Sequence, residues 1–185
     1  AAHDMAQRFA HRLLLIITPA APETGPALAA RLAGQGWSVA LRSAEEEPEP
    51  ATQIYIADTE GEEGLWLRLA PVTWLGGTLA PHAPGQDPFA AAALGSALVH
   101  GPGGSAHRAR MARLVAAGAA RRVSSAPELG AAISELLAPD RAARFAHAAW
   151  KITSEGAEAT AAIARAIERA LAPASAAPRP AQKAP

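Results

Sequence analysis

Short apolar runs separated by longer segments of helical character set the rhythm of this chain. The runs fall at residues 13–17, 38–41, 54–57, 72–75, 97–100 and, more weakly, 120–123. Segments with helical spacing lie between most of them, at 23–33, 60–69, 88–94 and 106–117. Apolar strands of this length alternating with helices predict an α/β fold: a Rossmann-like parallel sheet with helices on both faces. Strands of such a sheet are covered on two sides, which accounts for the unbroken apolar run Leu13-Leu14-Leu15-Ile16-Ile17.

Some boundaries carry their own chemistry. Ser125-Ala126-Pro127-Glu128 places a serine N-cap three residues before a glutamate, a capping box that opens a helix to about residue 137. Pro139-Asp140 then breaks that helix and starts another. The C-terminal end is predicted helical, with Ala142, Phe145, Ala149, Trp150, Ile163, Ile167 and Leu171 at helical spacing and facing a core. Residues 172–185 are rich in Pro and Ala with no large apolar side chain. Such a segment cannot offset its ordering entropy, and it is expected to be a disordered tail. Residues 2–12 read as a helix leading straight into the first strand. The chain is therefore expected to be one domain, 1–171, truncated at its N-terminus, followed by the tail.

Composition narrows the possibilities. Half of the residues are hydrophobic but only 4% are aromatic, so alanines form close-packed helices and a few large residues carry most of the burial. Seventeen basic and seventeen acidic residues cancel, which argues against nucleic acid as a main partner. The acidic stretch Glu45, Glu46, Glu47 and Glu49 reads as a solvated loop ending at Pro50. Without cysteine, disulfide and thiolate chemistry are excluded. The longest apolar run is far too short to span a bilayer, and the N-terminus lacks the pattern of a cleaved leader. A soluble domain is expected, with membrane contact at most peripheral.

In an open parallel sheet, ligands sit beyond the carboxyl ends of the strands. Three loops there could hold a phosphate or a nucleotide. Asp58-Thr59-Glu60-Gly61-Glu62-Glu63-Gly64 follows the run at 54–57; Thr59 and Glu62 fit a capping box, and the backbone N–H groups around Glu60–Glu62 would point outward. Gly76-Gly77-Thr78 follows the run at 72–75. In Gly85-Gln86-Asp87-Pro88-Phe89, Asp87 suits an N-cap and Pro88 the first helical position. Ordinary turn and cap chemistry explains each loop as well as a ligand does. No catalytic constellation stands out: His82, His100 and His107 lack a companion carboxylate at ligand spacing, and Ser124 and Ser125 lack the setting of a hydrolase nucleophile. Solvated or core histidines are the better reading, and no metal site is assigned.

Taken in order, the loops resemble those of the 3-deoxy-D-manno-octulosonic acid (Kdo) transferases that act on lipid A precursors. The resemblance is carried by Ile54-Tyr55-Ile56-Ala57-Asp58-Thr59-Glu60-Gly61-Glu62-Glu63-Gly64-Leu65-Trp66, Arg68-Leu69-Ala70-Pro71-Val72, Gly76-Gly77-Thr78-Leu79, Asp87-Pro88-Phe89, and Ala92-Ala93-Leu94-Gly95 through His100-Gly101-Pro102. It is collinear from about Leu13 to Trp150. It implies the C-terminal, CMP-Kdo-binding half of a GT-B glycosyltransferase, which takes Kdo from CMP-Kdo to a lipid A precursor at the cytoplasmic face of the bacterial inner membrane. It further implies an inverting reaction without metal or cofactor, in lipopolysaccharide biosynthesis. Carried over, Glu60 (through its backbone), Gly61 and Glu62 would hold CMP, Asp87, Pro88 and Phe89 would line the same nucleotide, and Pro19 would begin a third contact. The family's general base, a glutamate, lies in the first domain, so no catalytic residue is assigned to this chain.

The departures from the family pattern are specific. Ala20 stands where the family has Arg, Asp87 where it has Asn, and Ala90-Ala91 where it has Glu followed by Pro. Gly103-Gly104-Ser105-Ala106 replaces a His and a later Asn-Phe pair. Each lost charge-assisted contact commonly costs about 1.5–3 kcal/mol. These departures leave two further readings open: a degenerate, non-catalytic domain of the same fold, or a transferase half that uses another nucleotide sugar.

Overall fold

The computed structural model describes residues 1–80 and 85–171; the expected tail at 172–185 and His82 lie outside them. Among the described residues the element order is α1 (Ala2–Gln7), β1 (Leu15–Ile17), α2 (Gly25–Gly34), β2 (Val39–Leu41), β3 (Ile54–Ile56), α3 (Glu63–Leu69) and β4 (Val72–Trp74). There follow α4 (Pro88–Ala93), β5 (Ala97–His100), α5 (Arg108–Ala116), β6 (Ala120–Arg122), α6 (Ala126–Leu136) and α7 (Pro139–Leu171). Every strand ladder is parallel. The α/β alternation is the one the apolar rhythm predicts.

Hydrogen bonding partitions the strands in a way the rhythm does not show. They form two three-stranded sheets, ordered β1-β3-β2 and β4-β5-β6. The middle strands β3 and β5 are buried at every residue, whereas β1 and β4, apolar but for Thr73, are half-buried throughout. A strand paired on both edges and covered on both faces has no exposed side, and an outer strand keeps one.

Side-chain alternation along β5 divides the larger core. Leu98 points to one face, with Ala91 and Ala92 of α4, Leu114 of α5 and Ala149 of α7. Ala97 and Val99 point to the other, with Val123, Leu129, Ala132, Leu136 and Ala142. The alanines let helices sit close to the strands, and Leu98, Leu114 and Leu136, all fully buried, supply the bulk.

Two helices differ from expectation. α1 ends at Gln7 rather than running into the strand, and the chain turns through hydrogen bonds from Phe9 and Ala10 N–H to the Ala6 carbonyl. It packs on α6, where Met5 lies so close to Gly130 that a Cβ there would meet its sulfur at 2.7 Å. The second departure is at the other end. Trp150, Ile163, Ile167 and Leu171 do not face a core: they are 54%, 61%, 53% and 76% exposed. The 33 residues of α7 extend about 50 Å, and the buried residues Ala142 and Ala149 lie in the first third of that length. The apolar stripe is real, but its second half outruns the elements that could cover it.

Candidate functional site

Because β1, β2 and β3 are parallel, the loops at their carboxyl ends gather at one edge. Asp58 lies two residues beyond β3 and is buried. Its Oδ1 accepts from the Ser43 backbone N–H at 2.9 Å and its Oδ2 from the Ser43 hydroxyl at 2.7 Å. Gly25, the first residue of α2, is pressed against this carboxylate: a Cβ there would stand 2.3 Å from Oδ2. The three loops are thereby pinned around one buried acid.

The neighbouring charges also close on each other. Arg42 makes a two-pronged contact with Glu62, Nε to Oε2 at 2.9 Å and Nη2 to Oε1 at 2.8 Å. Thr59 donates its hydroxyl to Glu62 Oε2. The Arg42 guanidinium, and then the Thr59 hydroxyl, hold the Glu62 carboxyl down from its ordinary 4.5 to about 2. The expected Thr59–Glu62 capping box therefore does not form. α3 begins at Glu63 rather than Glu60 and has no side-chain cap, because a bidentate ion pair outcompetes a single cap hydrogen bond for the Glu62 carboxylate. Glu60 and Gly61 are exposed, with open space around Gly61 at φ 79°. Pro19 is half-buried two residues beyond β1, and Ala20 is exposed.

The second sheet ends differently. The buried Thr78 donates its hydroxyl to the Leu75 carbonyl at 2.6 Å and accepts from Gly101 N–H at 2.8 Å. Gly103 N–H donates to the Thr78 carbonyl at 2.7 Å. Side chains at 101 or 103 are excluded, since a Cβ at either would lie 2.2 Å from a backbone oxygen of Thr78 or Ala80. The loops after β4 and β5 are thus clasped backbone to backbone. Beside them His100 is buried, with Nδ1 against the Gly101 carbonyl at 2.7 Å. Burial holds its imidazole below the ordinary pKa.

Asp87 caps α4 as its sequence position predicts: Oδ1 accepts from Phe89 N–H at 3.0 Å, with Pro88 at the first helical position. Its Oδ2 accepts from the Arg110 guanidinium of α5. Arg110 and Arg113 both lie over the Phe89 ring, their Cζ atoms 5.3 and 5.8 Å from its centre. Burial opposes ionisation of Asp87, but the Phe89 N–H and Arg110 outweigh it and keep its pKa below the usual carboxylate range.

The residues singled out in the sequence thus fall into two groups, Pro19 with Glu60, Gly61 and Glu62 at the first sheet, and Asp87, Pro88 and Phe89 at the second. Among the described residues, no hydrogen bond or ion pair joins one group to the other. Arg42, Ser43, Arg110 and Arg113 are absent from the sequence reading. For Arg110 a local signal exists. α5 begins with Arg108 and Arg110 and has no acid in its first turn, where the helix dipole disfavours cations.

No protein-family profile matches the sequence. The chain is 32% identical over 151 residues to the 3-deoxy-D-manno-octulosonic acid transferase of Bordetella pertussis, a match covering 80% of this chain and 35% of that protein. It is 37% identical over 100 residues to a probable mitochondrial 3-deoxy-D-manno-octulosonic acid transferase of Arabidopsis thaliana, covering 54% and 22%. The matches therefore span about a third or less of those curated relatives. In fold the chain matches the crystal structure of the C-terminal CMP-Kdo binding domain of WaaA from Acinetobacter baumannii, with a TM-score of 0.76. That match covers 82% of this chain and 79% of that one at 22% identity. The expected fold, the C-terminal half of a GT-B enzyme, agrees with it.

Proposed function

We propose that this chain, a relative of the Kdo transferases that corresponds to their C-terminal domain, holds the nucleotide-sugar donor CMP-Kdo. The observation that carries the reading is the fold correspondence with a CMP-Kdo binding domain over four-fifths of the chain, joined to the collinear sequence match. Residues 1–171 would form the donor-binding unit. Glu60 and Gly61 would meet the nucleotide through exposed backbone, with Glu62 fixing that loop through Arg42. Asp87, Pro88 and Phe89 would line it from the second sheet, and Pro19 from the first. In the complete enzyme, a hydroxyl of a lipid A precursor would attack the anomeric carbon of Kdo as the CMP phosphate leaves. This half would stabilise the leaving phosphate electrostatically. A glutamate of the partner domain would take the acceptor's proton, at the cytoplasmic surface of the bacterial inner membrane.

Calorimetric titration of the 185-residue chain with CMP tests the reading. Saturable binding with a millimolar or tighter dissociation constant is expected, and Ala20→Arg or Ala90→Glu should tighten it. No heat at millimolar CMP would sink donor binding and leave a domain that keeps the fold without the ligand.

A further inference from the structure

The second sheet's carboxyl end carries more positive charge than its own contacts consume. Arg110 and Arg113 share one aromatic platform, Phe89, and of the two only Arg110 pairs with a carboxylate, Asp87. Two guanidiniums against one carboxylate leave one positive charge. Among the described residues Arg113 has no ion pair, and the Arg110 side chain is 51% exposed. The contrast with Arg42 is direct: that guanidinium is spent on both oxygens of Glu62.

The positions of these cations are fixed by the backbone. Gly85 and Gly104 touch, with room for no Cβ at 85 because Gly104 Cα would lie 2.7 Å away. Gly104, at φ 85°, leads through a short 3-10 turn, Ser105–His107, into α5. This contact sets the start of α5 beside the start of α4. Asp87 has one oxygen engaged by its cap and the other by Arg110, so it orients the guanidinium and its charge is paired. A guanidinium laid on an aromatic ring keeps its N–H edge free, and that fork matches two oxygens of a phosphate.

We propose that Arg110, oriented by Asp87 and backed by Phe89, with Arg113 beside it, is the cationic contact for the phosphate of the bound nucleotide. This rests on the reading of the chain as a CMP-binding domain and adds the residue that recognises the anion. The sequence position is on α5, away from each of the three loops after the strands, so loop comparison alone does not reach it.

The test is paired calorimetry of the 185-residue chain with CMP and with cytidine, which lacks the phosphate. In the unaltered chain CMP binds more tightly than cytidine. Arg110→Gln weakens CMP about tenfold or more and leaves cytidine within about twofold, and Arg110→Gln with Arg113→Gln removes the preference for CMP. Arg110→Lys, which keeps the charge and loses the fork, falls between. Because both arginines are exposed, circular dichroism should show unchanged folding, and rising salt should weaken CMP but not cytidine in the unaltered chain. CMP binding that survives Arg110→Gln with its preference over cytidine intact overturns the assignment and leaves the nucleotide reading standing. Equal weakening of both ligands also overturns it, since Arg110 would then hold the loop and not the phosphate. Absence of CMP binding in the unaltered chain overturns both.

Discussion

At the carboxyl end of the first sheet, Asp58 is taken up by Ser43 and Glu62 by Arg42 and Thr59. At the carboxyl end of the second, the loops are clasped through glycine backbone and Thr78, while Arg110 and Arg113 stay at the surface over Phe89. Both ends use charged side chains, but in opposite ways. The first end spends its charges internally and becomes rigid. The second uses backbone for rigidity and, among the described residues, leaves Arg113 without an ion pair beside an exposed Arg110. Changes at the first end should therefore register in stability, and changes to the exposed cations of the second in ligand binding.

The largest expected effect is at the clasp. Gly101→Ala would drive a Cβ to 2.2 Å from the Thr78 carbonyl oxygen and 2.4 Å from its carbon. Backbone on both sides cannot yield, so destabilisation of about 3 kcal/mol or more is expected in urea unfolding. A near-normal midpoint would mean the two loops are not locked. Next comes the buried acid: Asp58→Ala strands the Ser43 N–H and hydroxyl and should cost about 1–3 kcal/mol in the same assay. It should leave the preference for CMP over cytidine unchanged, and loss of that preference would erase the contrast between the two ends.

A smaller effect separates the ends by pH. The folded-state pKa of Glu62 is depressed to about 2, so its contribution to stability is present above the ordinary value of 4.5. It is lost progressively as pH falls from there toward about 2. Relative to Glu62→Gln, the unaltered chain should be more stable at neutral pH and lose that advantage across this window, as followed by thermal melts. An advantage that persists at pH 2, or never exists, would show that the Arg42 pair does not form. The smallest stability effect is predicted for Arg110→Gln, whose ion pair with Asp87 is exposed and worth at most about 1 kcal/mol. A large loss of stability there would make Arg110 a structural residue like Arg42.

What could be read from the sequence follows the range of the interactions. The strand 97–100 and the caps at Asp87 and Ser125 stand where the pattern puts them, because burial on both faces and capping are local properties. Ser125 accepts from Glu128 N–H, and Glu128 reaches back to Ser124 N–H. The cap expected at Glu62 does not form, for the opposite reason: its partner is 20 residues away, and Arg110 lies 23 from Asp87. A carboxylate three residues after a threonine looks like a cap until a distant guanidinium claims it. The split into two sheets depends on edge pairing, which apolar runs do not encode. The stripe of Ile163, Ile167 and Leu171 was legible as amphipathic, but periodicity cannot tell a covered face from a bare one.

The difference between the two ends can be observed in one experiment, a CMP titration of the isotopically labelled chain followed through its arginine Nε–H and backbone amide resonances. Shifts at Arg110 and Arg113 Nε–H and at the Phe89 amide, with Arg42 Nε–H unmoved, are the predicted result. Movement at Arg42 while Arg110 and Arg113 stay still would contradict the account.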